Sequence, residues 1–284
     1  MTIVELNEEN VREYASDITE DVAENIGREF FRGIIAAADD GKDMAAGIIW
    51  QYKNLEDEKQ DTESVIEWIR IKDANAAEAL FAAYSESIAK EGALTSRVVI
   101  PVKDSKTEVQ ALKDAGFRIR LTEGDNIIVS LSELSELAVM KSRKVPDYIY
   151  PLNTLVLRRF RRGVEQCISI GQKGLCEDLA SLPMTWFDPD ISFYAEKDGK
   201  FCGFLLFHVL PSGMICIQLM TGIGKDFQQT ILGMIRKFII TMEEHYPPDT
   251  KIQMNRRNQA SLQLAEKLLP RGFGIPVYTG SRGE

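Results

Sequence analysis

The sequence is short of the residues that build metal centres and disulfide frameworks: it has four cysteines and two histidines in 284 residues. Cys167, Cys176, Cys202 and Cys216 form no CxxC pair, and His208 and His245 do not complete a ligand set. Neither structural zinc, nor any other metal site, nor a cystine scaffold is expected. Cys202 and Cys216 lie in apolar, strand-like runs and are expected to be buried thiols. No apolar run approaches the ~20 residues that span a bilayer; the longest, such as Phe201 to Leu210, read as buried strands. The opening MTIVELNEEN is acidic, without a basic segment before an apolar stretch, so the expectation is a cytoplasmic protein with no secretion signal and no membrane partner. Net positive charge is lacking too. A formal charge of −9 and a pI near 5.0 argue against a general nucleic-acid binder.

What is present is globular composition, 44% hydrophobic and 27% charged, enough for one large domain or two ordinary ones. The charge is uneven. Residues 1–140 carry 29 acidic and 15 basic side chains, a net of −14, and residues 141–284 carry 14 and 19, a net of +5. The asymmetry suggests two units, the second being the better host for an anionic ligand.

Ile3 to Leu6 reads as a strand, followed by helical patterns through Val11, Tyr14 and Ile18 and through Val22 and Ile26. Ile34–Ala38 and Met44–Tyr52 flank an Asp39-Asp40-Gly41-Lys42 turn. Glu63–Ile71 is a third strand, Ala76–Glu91 a helix closed by Gly92, and Arg97–Val102 another strand. A short helix over Thr107–Ala115 ends in Gly116-Phe117, and Arg118–Leu131 holds two strands around a turn. Much of this order returns after Leu152. A helix to Gln172 and a shorter one near Cys176 precede a hairpin over Ser192–Leu210. Next come a strand over Met214–Thr221, a glycine-bearing loop, a helix over Gln228–His245, a strand over Lys251–Met254 and a helix from Gln259 to Leu269 that leads to Gly272-Phe273. The spacing of the duplication is about 150 residues. Glu133–Pro146 is expected to be the linker between α/β domains at 1–135 and 145–284. The cluster Arg158-Arg159-Phe160-Arg161-Arg162 reads as a solvated or ion-paired helix face, with nucleic-acid or protein contact as its alternative.

The duplicated order resembles the GNAT superfamily, the Gcn5-related N-acetyltransferases. Three stretches of each half carry the resemblance. They are the acidic-glycine hairpin (AADDGKDMAAGIIW and YAEKDGKFCGFLLF), the strand–loop–helix beginning ESVIEWIRIKDANAAEAL and MICIQLMTGIGKDFQQT, and the strand and helix ending in Gly-Phe. It implies an α/β (α+β) protein with two GNAT-like domains, each a mixed, mostly antiparallel sheet flanked by helices. Acetyl-CoA is the implied co-substrate, and the acceptor is a small-molecule or peptide amine. A homodimer is a further possibility for such folds.

A loop entering a helix N-terminus offers backbone N–H groups and a positive dipole end to phosphate. In the first half the family's pyrophosphate loop falls on Lys72-Asp73-Ala74-Asn75-Ala76-Ala77. Lys72, Asn75 and Ala77 stand at its matching positions, and Asp73 adds a charge that disfavours phosphate. In the second half the register chosen is Lys225 to Thr230, with Gln228 and Thr230 at the glycine positions. Gly222 and Gly224 lie just before, and the strand backbone at Leu219, Met220 and Thr221 leads in. Glu67 is the candidate base; Glu63, four residues away on the same strand, shares its face. The second half offers only Gln218 there. The family's tyrosine acid is missing from both halves, where Leu112 or Lys113 and Ala265 stand. Asn258 matches an asparagine that family members often carry. Two readings follow: an acyl-CoA-dependent N-acyltransferase, or a degenerate GNAT-like module that binds a ligand or partner without turnover.

Overall fold

The computed structural model describes residues 1–38, 43–54, 62–124, 126–169, 182–255, 268–269 and 276–283. The chain divides into two compact units, residues 1–124 with 275–284, and residues 125–274. Each is built on one mixed sheet.

In the first unit, β1 (Thr2–Glu5), β2 (Phe31–Ala37), β3 (Met44–Asn54) and β4 (Thr62–Ile71) pair antiparallel in sequence order. β5 (Ala93–Pro101) then adds parallel to β4, after the crossover helix α2 (Ala77–Lys90). The strand beyond β5 comes from the far end of the chain: β13 (Pro276–Arg282) pairs antiparallel with β5 and with the edge strand β6 (Arg118–Glu123). Helix α2 covers one face with Leu80, Phe81, Tyr84 and Ile88, over a core that includes Trp50, Ile66 and Val98. The other face is covered by residues 6–26. Their apolar side chains point inward as the helical pattern predicts, but the segment folds as a 3₁₀ turn at Val11–Tyr14, a four-residue α1 (Glu20–Ala23) and turns. Helix α3 (Lys106–Asp114) lies between β5 and β6 in sequence.

In the second unit the order is β7-β12-β11-β10-β9-β8. β8 (Ile149–Pro151), β9 (Phe193–Lys197), β10 (Lys200–Val209) and β11 (Ile215–Gly222) are antiparallel neighbours, and β12 (Lys251–Asn255) pairs parallel to β11. The crossover is α6 (Phe227–His245), whose Met234, Phe238, Ile239 and Met242 are buried on one face. Helix α5 (Leu157–Ser169) covers the other with Phe160, Val164 and Cys167. The sheet is completed by β7 (Asn126–Ser130), from the first half of the chain.

The two units therefore exchange a strand through the covalent chain. Arg118–Leu131 does hold two strands, as expected, but β6 and β7 belong to different sheets. β13 was not foreseen. The expected linker is structured: Ser130 starts α4 (Leu131–Ser135) in a capping box with Glu133, and Leu134, Leu137, Val139 and Met140 lie in the second unit's core. Apolar residues at that density are buried, and a linker cannot bury them. The observed division at 124/125, with 275–284 returned to the first unit, thus differs from the expected 1–135 and 145–284.

Candidate functional site

The pleat breaks twice in each unit, at matching places. On β3 the register against β2 slips around Ala45, and on β10 the register against β9 slips around Cys202. On β4 it slips around Glu67, between the pairs Ile49↔Trp68 and Trp50↔Ile66. On β11 it slips around Gln218, between Leu206↔Leu219 and Phe207↔Ile217. A hydrogen bond ties each pair together. Lys72 N–H donates to Ala45 O at 2.8 Å, and Ile223 N–H donates to Cys202 O at 2.7 Å. The bulges and the bonds align the halves residue by residue.

This alignment sets the loop registers. Lys72 corresponds to Ile223, Asp73 to Gly224, Asn75 to Asp226 and Ala77 to Gln228. The second loop is Ile223–Gln228, two residues earlier than the Lys225–Thr230 reading. Thr230 lies inside α6, buried, its N–H donating to Asp226 O. The bulge also corrects the face argument for Glu63 and Glu67. Ile66 joins the α2 core and so do Ile69 and Ile71, so the two-residue alternation slips at Glu67. Glu67 is half-buried at the bulge, while Glu63 is buried and ion-paired to Arg97 Nε at 2.6 Å.

The bulges stand where the parallel strands part. β4 and β5 pair from Thr62↔Ala93 to Ile66↔Val98 and no further, and β11 and β12 pair only at Ile215↔Ile252 and Cys216↔Gln253. Beyond, each unit has a diverging strand edge leading to a loop and a helix N-terminus. In the first unit this edge is satisfied from within. Ile71 N–H donates to the buried Glu108 Oε1 at 3.0 Å, with Glu108 carried in by α3. Lys72 Nζ pairs with Asp17 at 2.7 Å. Asp73 Oδ1 accepts the Asn75 N–H at 2.9 Å and the Asn75 amide at 3.0 Å. Ala77 opens α2.

In the second unit Leu219 and Thr221 are buried, Met220 and Gly222 half-buried, and Gly224, Lys225 and Gln228 exposed. A Cβ on Gly222 would stand 2.7 Å from Phe227 O, so only glycine lets the strand end approach the helix start this closely. Gly224 has φ +90°, the left-handed region. Asp226, the N-cap of the 19-residue α6, makes no side-chain capping bond, and Lys225 stands beside it in the exposed loop. An apolar cavity of about 30 Å³ lies under α6 where β11 and β12 part, lined by Ile217, Met220, Phe238, Ile252, Met254 and Leu269 among others. That is about the volume of one water. Asn258 lies outside the described residues.

Sequence reasoning passed over one cluster. His208, Cys216 and Gln253 are register partners across β10, β11 and β12, so they form one row on the α5 side, beside the Gln218 bulge. Cys216 Sγ lies 3.5 Å from Gln253 Oε1. The His208 ring stacks on Trp186 at 4.0 Å and 5°, with Nδ1 2.8 Å from Trp186 O. A carbonyl only accepts, so the neutral ring carries its proton on Nδ1 and its lone pair on Nε2. The signal for this row was the alternation of β10 with β11, which needs the bulge position to be read. Of the thiols, Cys216 is buried and Cys202 only half-buried. The arginine cluster is the exposed face of α5, with Arg159 paired to Glu196.

No family model and no curated protein sequence matches this chain. Solved structures do. A tandem GNAT protein from the clavulanic acid biosynthesis pathway superposes with a TM-score of 0.61 at 12% identity, over 99% of this chain and 98% of that one. The chain has the GNAT fold, twice. A GCN5-related N-acetyltransferase from Kribbella flavida gives a TM-score of 0.52 at 9% identity, over 99% of this chain and 70% of that one. A conserved protein of unknown function from Enterococcus faecalis, described as a probable N-acyltransferase, gives 0.52 at 10%, over 99% and 72%. The duplicated, mixed-sheet α/β architecture inferred from sequence is thus the observed one. Among the described residues no helix is long and apolar enough to cross a membrane.

Proposed function

We propose that the second GNAT unit binds an acyl-coenzyme A, acetyl-CoA first among candidates, and that the protein transfers the acyl group to an amine on a small molecule or peptide. The observation that carries this reading is the contrast between the two loops. In the first, Asp17, Asp73 and Glu108 already engage the cation and the edge amides that a pyrophosphate and pantetheine arm would use. In the second, a loop with Gly222, Gly224 and Lys225 enters a long helix whose N-cap side chain, Asp226, makes no capping bond and has its charge met by Lys197 at 3.9 Å, an arrangement suited to phosphate. The Leu219–Thr221 backbone would line the pantetheine arm. Gln228 occupies the place of Ala77, and Lys72, Asn75 and Ala77 would hold no coenzyme.

The chemistry is a direct displacement. The amine nitrogen attacks the thioester carbonyl, a C–N bond forms, the C–S bond breaks, and the thiolate leaves to be protonated. The attacking ammonium must first lose a proton. In the active unit Gln218 replaces Glu67 at the bulge, and an amide is no base.

A thermal-shift titration with acetyl-CoA tests the site. A ligand that binds only the folded state stabilises it by about 2.7 kcal/mol at a hundredfold excess over Kd. Lys225→Glu is expected to weaken binding at least about tenfold by like-charge repulsion, and Lys72→Glu to leave it unchanged. The reverse pattern would move the coenzyme to the first unit. Free-thiol release with a panel of amines then separates the enzyme from the non-catalytic module, a reading favoured by the internally satisfied first unit.

A further inference from the structure

We propose that the second unit selects an acyl chain one carbon longer than acetyl, the terminal methyl of a propionyl group filling the apolar cavity under α6. This preference rests on the coenzyme site proposed above, and moves its favoured acyl group from acetyl to propionyl.

The cavity lies at the end of the path proposed for the coenzyme. β11 and β12 share a ladder only at Ile215↔Ile252 and Cys216↔Gln253, and then part. Met220 and Met254, which line the cavity, stand on the parted segments, and Ile217 lines it next to the Gln218 bulge. A pantetheine arm running from the Gly222–Lys225 loop along Thr221 to Leu219 brings its thioester to that bulge. The acyl carbons beyond the carbonyl are then delivered to the cavity. Its walls, among the described residues, are hydrocarbon and thioether. A buried water needs about two to four polar partners, and these walls offer none, so the cavity stays dry. An apolar chain that enters it displaces no ordered water and gains dispersion contacts with the walls.

The size sets the length. The cavity measures about 30 Å³. A methyl group needs about the space of one water molecule, so the cavity takes roughly one carbon. An acetyl methyl at its mouth leaves it unfilled, and a long chain overfills it. In the first unit, where no coenzyme is placed, Tyr84 of α2 reaches into the matching place with its hydroxyl bonded to Ser64 and Ser96. The second unit has the shorter Ile235 there, on the cavity wall.

Isothermal titration of the full chain with coenzyme A and its acetyl, propionyl, butyryl and octanoyl thioesters tests this. Propionyl-CoA is expected to bind about fourfold tighter than acetyl-CoA, the gain from burying one further carbon, and octanoyl-CoA more weakly than either. Ile252→Val removes one methyl from the wall, a change that cores tolerate, and should move the optimum to butyryl-CoA. Lys225→Glu should weaken all members of the series alike and leave their ratios unchanged, because it acts at the phosphates. Coenzyme A binding with no preference between acetyl and propionyl, or an optimum unmoved in Ile252→Val, overturns the acyl assignment and leaves the coenzyme site standing. No binding of coenzyme A itself overturns the site, and the acyl assignment with it.

Discussion

Tyr84 shows how far the two halves have diverged one side chain at a time. Its hydroxyl lies 2.7 Å from Ser64 Oγ and donates to Ser96 Oγ at 3.0 Å, all three residues being buried. Burial pushes the phenol's pKa up, so it stays a donor. Counted from the bulges, the same three positions in the second unit are Ile215, Ile235 and Ile252, and the last two line the apolar cavity. One fold thus holds a polar knot and a greasy gap at the same address. Tyr84→Phe should cost about 1–3 kcal/mol, because two serine hydroxyls lose a buried partner. Urea unfolding of the variant checks this, and a loss below experimental error would show that the serines find each other. Cys167 tests burial in the second unit. Desolvation pushes its thiol up to about 12, so it should resist alkylation in the native state while half-buried Cys202 reacts. The candidate residues were only partly legible at this scale. Glu67 and Gln218 were singled out correctly as strand positions before the loops, but their shared place at a bulge was not visible, because an extra residue leaves no mark in composition.

The elements were far more legible than their partners. Crossover helices α2 and α6 fall within a residue or two of their expected bounds, because amphipathic periodicity and a following glycine or proline state them locally. Helix α4 was misread as linker, since its polar residues suggested solvent and its leucines were too sparse to show a period. Its capping box supplies a pH test. The Glu133 carboxylate accepts from Ser130 Oγ at 2.6 Å and from Ser130 N–H at 2.7 Å, and these bonds hold its pKa below the ordinary 4.5. A folded pKa below the unfolded one contributes stability that is present above 4.5 and lost as pH falls through the folded value. Glu133→Gln should therefore be destabilising near neutrality and converge on wild type in strong acid. A mutant deficit that persists unchanged at the lowest pH would point to packing instead.

At the scale of the whole molecule the sequence showed the duplication and concealed the exchange. Repeated order is written in the pattern of strands and helices, but which sheet a strand joins depends on pairing across some 150 residues: β6 and β7 read as two strands around one turn, and β13 was not read as a strand at all. Their placement yields a further prediction. Deleting residues 276–284 removes β13, which alone connects β6 to β5, so the first unit should lose stability although the deletion lies next to the second unit in sequence. Hydrogen exchange would show it as lost amide protection in β5 and β6 with β10 and β11 retained. Full protection of β6 in the truncated chain would refute the pairing.

The same strand has a consequence for the chain as it is made. A ribosome adds ~5–20 residues per second, so the roughly 150 residues between β6 and β13 take on the order of 8–30 s to emerge. Through that interval the nascent first unit presents the unpaired edge of β5, an invitation to pair with another chain. The second unit's β7, by contrast, is already outside when β12 arrives. Synthesis thus begins the first unit early and closes it last, and a polysome crowded with such half-made sheets is where this protein would most need a chaperone.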